Sequence, residues 1–219
     1  MSPEIFKSIT IFLVFWFLLF GSLISAYATP AKKILVLGDS LSAGYGLLSS
    51  QSFPARLEVR LRSIGQNVRV LNGGVSGDTS AGGRARLSWA LADKPHFVII
   101  ELGANDGLRG LDPFAMRDNI EDIILRLKAV DIGILLTGMR APPNIGPNYG
   151  RAFNSVFADL AQKHEVPLYP FFLEGVAAIP SLNQRDGIHP NPRGVAVIVD
   201  RIMPFVVRLL EGQLKVGMN

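Results

Sequence analysis

Cysteine is absent from this chain of 219 residues. Neither a disulfide framework nor a thiolate metal site can be built from it, and the redox character of its compartment is left open. Histidine is scarce as well: His96, His164 and His189 stand far apart, with no HExxH or paired-ligand spacing, so no metal centre is expected. Charged residues make up only 18%, and the net charge of +4 is spread without a run of five or more basic residues. That is not the electrostatic footprint of a nucleic-acid binder. There is no G-x-S-x-G elbow, which disfavours the larger α/β-hydrolase class. The dinucleotide fingerprint also fails, because Ser49 stands where the third glycine after Gly44 and Gly46 would fall, and no Walker sequence appears. No cofactor is expected.

What the chain does have is an apolar content of 48%, enough for one well-buried domain. At the amino terminus Lys7 precedes an apolar run from Ile9 to Phe20, and Ala26-Tyr27-Ala28 supplies a small-x-small cleavage pattern. Residues 1–28 therefore read as a secretory signal cleaved after Ala28, which implies export to the periplasm or beyond; an uncleaved membrane anchor is the other reading. From Thr29 to Asn219, strand-like and helix-like segments alternate, the pattern of a single three-layer α/β/α domain on a five-stranded, mainly parallel sheet. The predicted strands are Lys33–Leu37, Asn67–Leu71, Phe97–Leu102, Ile132–Thr137 and Val166–Tyr169. Helices are predicted over Phe53–Ile64, ended by Gly65; Ala85–Ala92; Pro113–Val130, capped by Asp112; Arg151–His164; and Arg193–Leu210.

Ligands of open parallel sheets bind beyond the carboxyl ends of the strands, so the loops there are where chemistry is expected. After the first strand comes Gly38-Asp39-Ser40-Leu41-Ser42, with Ser40 the candidate nucleophile. A serine hydroxyl needs an adjacent base and fixed donors for the oxyanion that forms. His189 lies three residues after Asp186, close enough for the carboxylate to hold the imidazole in the tautomer that accepts a proton. Gly77 can offer an unobstructed backbone N–H, Asn105 a side-chain amide and Ser40 its own N–H, three candidate oxyanion donors. Taken singly, each of these residues is also what an ordinary turn would use. His96, at the start of a strand, and His164, at a helix end, read as structural.

Taken together, Gly38-Asp39-Ser40-Leu41-Ser42, Gly74-Val75-Ser76-Gly77-Asp78-Thr79, Gly103-Ala104-Asn105-Asp106 and Asp186-Gly187-Ile188-His189-Pro190 resemble, in order and spacing, the four blocks of the SGNH, or GDSL, hydrolases. The resemblance is strongest to the exported bacterial group described as arylesterase, acyl-CoA thioesterase and lysophospholipase. It implies a flavodoxin-like fold and a serine esterase or thioesterase with Ser40 as nucleophile, Asp186 as orienter, His189 as general base, and Ser40, Gly77 and Asn105 around the oxyanion. It also implies a small ester or thioester substrate with an acyl chain, a membrane lipid among the candidates, handled by a monomer. One departure is Ala104, where relatives often carry a second glycine. Leu108 and Arg109, and Ile145 in the Pro142–Tyr149 segment, are the expected substrate-binding residues of flanking loops. A carbohydrate acetylesterase of the same superfamily, and a non-catalytic lipid- or glycan-binding module, are the alternatives.

Overall fold

The computed structural model describes residues 30–212; the expected signal segment lies outside the described residues. Five strands, β1 (Lys32–Gly38), β2 (Val68–Gly74), β3 (Phe97–Glu101), β4 (Gly133–Thr137) and β5 (Leu168–Tyr169), form one sheet in the order β2-β1-β3-β4-β5. Every pairing is parallel. The central strands are apolar and buried over most of their length, as a parallel sheet covered on both faces requires: Ile34 to Leu37, Val98 to Ile100 and Ile134 to Leu136 are all in the core.

The helices are α1 (Ser40–Ala43), α2 (Phe53–Ser63), α3 (Ser80–Ala85), α4 (Leu87–Ala90), α5 (Ala104–Leu108), α6 (Pro113–Lys128), α7 (Pro147–His164) and α8 (Pro192–Leu210). α2 packs against α8, and α6 against α7, the pairing that right-handed crossovers on the two faces of a parallel sheet produce. The long helices form for reasons visible in their residues. In α2, Phe53, Leu57 and Leu61 recur at four-residue spacing and are fully buried. Asp112 caps α6 by accepting from the Phe114 N–H, with Pro113 in the first turn. Asn191 caps α8, whose Val195, Ile198, Ile202, Val206 and Leu209 make one apolar stripe.

Three expected boundaries move furthest. Strand two runs on through Asn72, Gly73 and Gly74, which pair with Val36, Leu37 and Gly38. A Cβ on Gly73 would press on the Val36 carbonyl of β1, and one on Gly74 would strike the Ala43 amide, so Gly73 lets the two strands pair closely and Gly74 lets the turn after β1 lie against β2. The helix expected over Ala85–Ala92 is two short helices, starting at Ser80 with Thr79 as cap and breaking at Arg86. There the Arg86 side chain turns inward to Asp78, 2.6 Å away, and to the Gly38 carbonyl at 2.9 Å. Finally, α7 begins at Pro147, four residues before the predicted start at Arg151. Among the described residues, no helix is long and apolar enough to cross a membrane.

The register decides where chemistry can gather. Gly38 at the end of β1 stands opposite Gly74 on one side and Glu101 on the other. Three strand ends therefore stop at one level, and the chain reverses its direction of sheet growth between β1 and β3, opening a crevice there.

Candidate active site

β1 gives way to α1 through Asp39, whose side chain accepts from the Leu41 N–H at 2.9 Å and so starts a helix of four residues. Gly44, at φ +83°, ends it in the left-handed region that suits glycine. This short element holds Ser40 at the crevice. The chain returns in the loop before α8, where one oxygen of Asp186 accepts the Ile188 and His189 N–H groups at 2.9 and 3.0 Å. The other oxygen meets His189 Nδ1 at 2.7 Å, and His189 Nε2 lies 2.9 Å from Ser40 Oγ. These bonds hold the Asp186 carboxyl down at about 2, the His189 backbone N–H contributing most. With the carboxylate accepting at Nδ1, the imidazole keeps Nε2 as the acceptor facing the serine. The Tyr45 ring rests 4.6 Å from the imidazole, centroid to centroid, and Gln184 ties the two loops by donating to the carbonyls of Tyr45 and Pro190.

Below this chain of bonds lie two carboxyls, Asp39 and Glu101, both without solvent exposure. Burial raises the Asp39 carboxyl to about 6 against the pull of the Leu41 N–H, Asn105 and His189. Glu101 is pushed well above the carboxylate range by burial and then by the charge of Asp39. Asn105, at the start of α5, donates through Nδ2 to Asp39 Oδ2 at 3.0 Å and to the Asp78 carbonyl at 2.9 Å. Both hydrogens of its amide are therefore engaged, and Asn105 serves an oxyanion only by exchanging one of these partners. The N–H groups of Ser40 and Gly77 donate to no acceptor among the described residues. Gly77 sits at φ +84°, in the turn before α3.

A cavity of about 490 Å³ opens beside Ser40, Asn105 and His189. Its apolar walls include Leu108, Met139, Ala141, Pro142, Phe171 and Ile188, with the Arg140 side chain among the lining groups. Leu108 is thus where the sequence expects it. The other two expected substrate-binding residues are not on this wall: Arg109 donates to the Gly77 carbonyl at 2.8 Å, and Ile145 closes a short 3₁₀ turn beside the cavity. The Pro142–Tyr149 segment is also more regular than expected, because Tyr149 belongs to α7 and its hydroxyl donates to the Leu111 carbonyl at 2.8 Å. Ala104 lines the cavity and begins α5 after Gly103, whose φ is +110°. The remaining histidines are structural: His96 Nδ1 accepts the Lys33 N–H at 2.9 Å, and buried His164 meets Glu121 at 2.6 Å.

The model of the GDSL-like Lipase/Acylhydrolase family matches residues 36–197, which includes all four loops of the site. The chain belongs to this family. It is 44% identical over 181 residues to Esterase TesA of Pseudomonas aeruginosa, covering 82% of this chain and 90% of that protein. It is 42% identical to Thioesterase 1/protease 1/lysophospholipase L1 of Escherichia coli K12, covering 83% and 86%. The crystal structure of AlinE4, an SGNH-hydrolase family esterase, superposes with a TM-score of 0.71 at 48% identity, over 84% of this chain and 98% of that one.

Within this GDSL acylhydrolase, several side chains around the crevice carry no signal in the sequence. Glu101 lies inside the strand expected over Phe97–Leu102 and draws no role there, yet it ends β3 and is buried under Ser42. Asp39 reads as a turn residue, and its second role, holding Asn105, depends on a contact across 66 positions. Tyr45 against His189, and Arg86 against Asp78, likewise appear only when distant loops are brought together.

Proposed function

We propose that this enzyme hydrolyses carboxylic esters and acyl thioesters through an acyl group carried on Ser40. The observation that supports this most is the continuous line from Asp186 through His189 to Ser40, at 2.7 and 2.9 Å, beside an apolar cavity. Ser40 Oγ attacks the acyl carbon as His189 Nε2 takes its proton, and Asp186 stabilises the imidazolium through Nδ1–H. The oxygen of the tetrahedral intermediate is received by the N–H groups of Ser40 and Gly77, and by Asn105 once it releases a partner. Protonated His189 then delivers its proton to the departing alcohol or thiol. Water, deprotonated by the same nitrogen, cleaves the acyl-serine.

The acyl chain occupies the cavity between Leu108, Met139 and Phe171, while the leaving group faces solvent. Thioester activity is in keeping with the E. coli relative's name, and a lysophospholipid is a substrate of the same shape. The protein acts as a monomer outside the cytoplasm, delivered there by residues 1–28.

A series of p-nitrophenyl esters from acetyl to palmitoyl, with acyl-CoA, lysophospholipid and acetylated xylan alongside, tests the reading. Each buried methylene is worth about 0.8 kcal/mol, roughly a fourfold rise in kcat/KM until the cavity is filled. Leu108→Asp is expected to flatten that rise and spare the acetyl ester. A preference for acetylated sugar with no dependence on chain length would replace the acyl-chain reading with a carbohydrate acetylesterase.

A further inference from the structure

Proton transfer along Asp186, His189 and Ser40 uses neither of the two buried carboxyls below it, Asp39 and Glu101. Glu101 stands at the carboxyl end of β3, fully buried, opposite Gly38 in the register. Its Oε2 accepts from Ser42 Oγ at 2.5 Å and from the Asp39 backbone N–H at 3.2 Å. These two donors flank Ser40, one residue before it and two after. Oε1 is buried with no hydrogen-bond partner among the described residues. The fit admits no extra atom, since a Cβ on Gly38 would collide with both Ser42 Oγ and Glu101 Oε2.

We propose that Glu101 is a positioning residue for acyl transfer: its Oε2 clamps the turn on both sides of Ser40 and so keeps Ser40 Oγ in line with His189 Nε2. The proposal rests on Ser40 being the nucleophile. It also states which form of Glu101 does the work. Two neighbouring buried carboxyls do not both ionise readily; Glu101 accepts hydrogen bonds as Asp39 does, but Asp39, held by the Leu41 N–H, the Asn105 amide and the field of His189, is raised only to about 6 while Glu101 is raised further. Glu101 has the bare Oε1 and lies next to the Asp39 charge, so it keeps the proton. Burial and that charge both hold its pKa well above the usual range. A neutral acid and a glutamine have the same shape, and the glutamine oxygen can accept both bonds that Oε2 accepts.

The test compares Glu101→Ala, Glu101→Gln, Ser42→Ala and Ser40→Ala in the full chain, by steady-state kinetics on p-nitrophenyl butyrate with circular dichroism to follow folding. Glu101→Ala is expected to lower kcat roughly 10- to 100-fold with KM within about twofold, the mark of a misplaced nucleophile and not of lost ground-state binding. Glu101→Gln should stay within about threefold of the parent, and Ser42→Ala should lose several-fold in kcat, since one of two clamp bonds remains. Parental kcat in Glu101→Ala, a Glu101→Gln enzyme as impaired as the alanine variant, or a loss that falls on KM would each overturn the proposal. If Glu101→Ala does not fold, Ser42→Ala and Glu101→Gln decide between the same outcomes: parental kcat in the first, or a collapse of kcat in the second, overturns it. Activity surviving in Ser40→Ala would instead overturn the assignment of the nucleophile, which separates the two failures.

Discussion

Replacing Asp39 by asparagine is expected to make the protein less active and, above neutral pH, more stable. The carboxyl is fully buried, and burial lifts it from 3.8 to about 6. A carboxyl whose folded value lies above its unfolded value lends stability that is fully present below the unfolded value and is lost as pH rises through the folded one. Here that window runs from 3.8 to about 6. The shift of roughly two units corresponds to about 3 kcal/mol at 1.36 kcal/mol per unit. Asparagine never ionises, so the stability of the variant relative to the parent should climb by about that amount between pH 4 and pH 8. Its Oδ1 can still cap the Leu41 N–H, but its NH₂ would face Asn105 Nδ2 where a carboxylate oxygen stood, losing about 1 kcal/mol of hydrogen bonding. The variant should therefore be less stable than the parent by about 1 kcal/mol at pH 4 and more stable by about 2 at pH 8. Urea unfolding of both proteins at pH 4, 6 and 8 reads this directly, with activity at pH 8 measured on the same samples. Parallel stability curves across that range would refute the buried, uplifted carboxylate.

Asp186→Asn keeps the oxygen that clasps the Ile188 and His189 N–H groups but puts a donor against His189 Nδ1, turning Nε2 from acceptor to donor toward Ser40. With the charge-assisted bond lost and the tautomer reversed, kcat on p-nitrophenyl butyrate should fall roughly 10⁴-fold, and the melting temperature at pH 7 should drop modestly, because the ionised carboxylate lends stability there. A variant keeping a tenth of parental kcat would show that Asp186 does not orient the base. The depressed Asp186 carboxyl, at about 2, lends stability above its unfolded value that is lost as pH falls toward 2, and an acid-unfolding profile of Asp186→Asn should lack this step. Asn105→Ala should lower kcat by roughly 10²–10³-fold with KM nearly unchanged. It also strips a donor from Asp39, raising that carboxyl further, so the variant should lose stability at pH 8 more than at pH 4. An effect confined to KM would make Asn105 a ground-state binding residue.

The parallel sheet was legible because its strands are apolar runs separated by amphipathic helices, one with the plain cap Asp112-Pro113. The line from Ser40 to Asp186 was legible because strand ends gather loops, and each loop offered one polar group of the right kind. The misses have a common cause. Gly73 and Gly74 read as loop glycines, yet they lengthen β2 because β1 fills the space beside Gly73 and the turn after β1 that beside Gly74. Arg86 reads as helical and breaks its helix because Asp78 and the Gly38 carbonyl draw its guanidinium inward. Glu101 is only a polar residue inside the strand expected over Phe97–Leu102 until Ser42, 59 positions away, is placed on it. Periodicity records which face of an element is apolar; it does not record which distant group fills the space beside it. The loops flanking the cavity show the same limit, since only Leu108 of the three expected residues reaches its wall.

The central claim is that Ser40 carries the acyl group, and a covalent adduct tests it most directly. The protein is treated with a long-chain alkyl phosphonate ester, digested and mapped by mass spectrometry, with Ser40→Ala treated in parallel. The account predicts one stoichiometric adduct on the peptide holding Ser40, loss of esterase activity in step with it, and no adduct in the alanine variant. Modification at Ser42 or elsewhere, or full turnover in an enzyme whose Ser40 is already occupied, would contradict it.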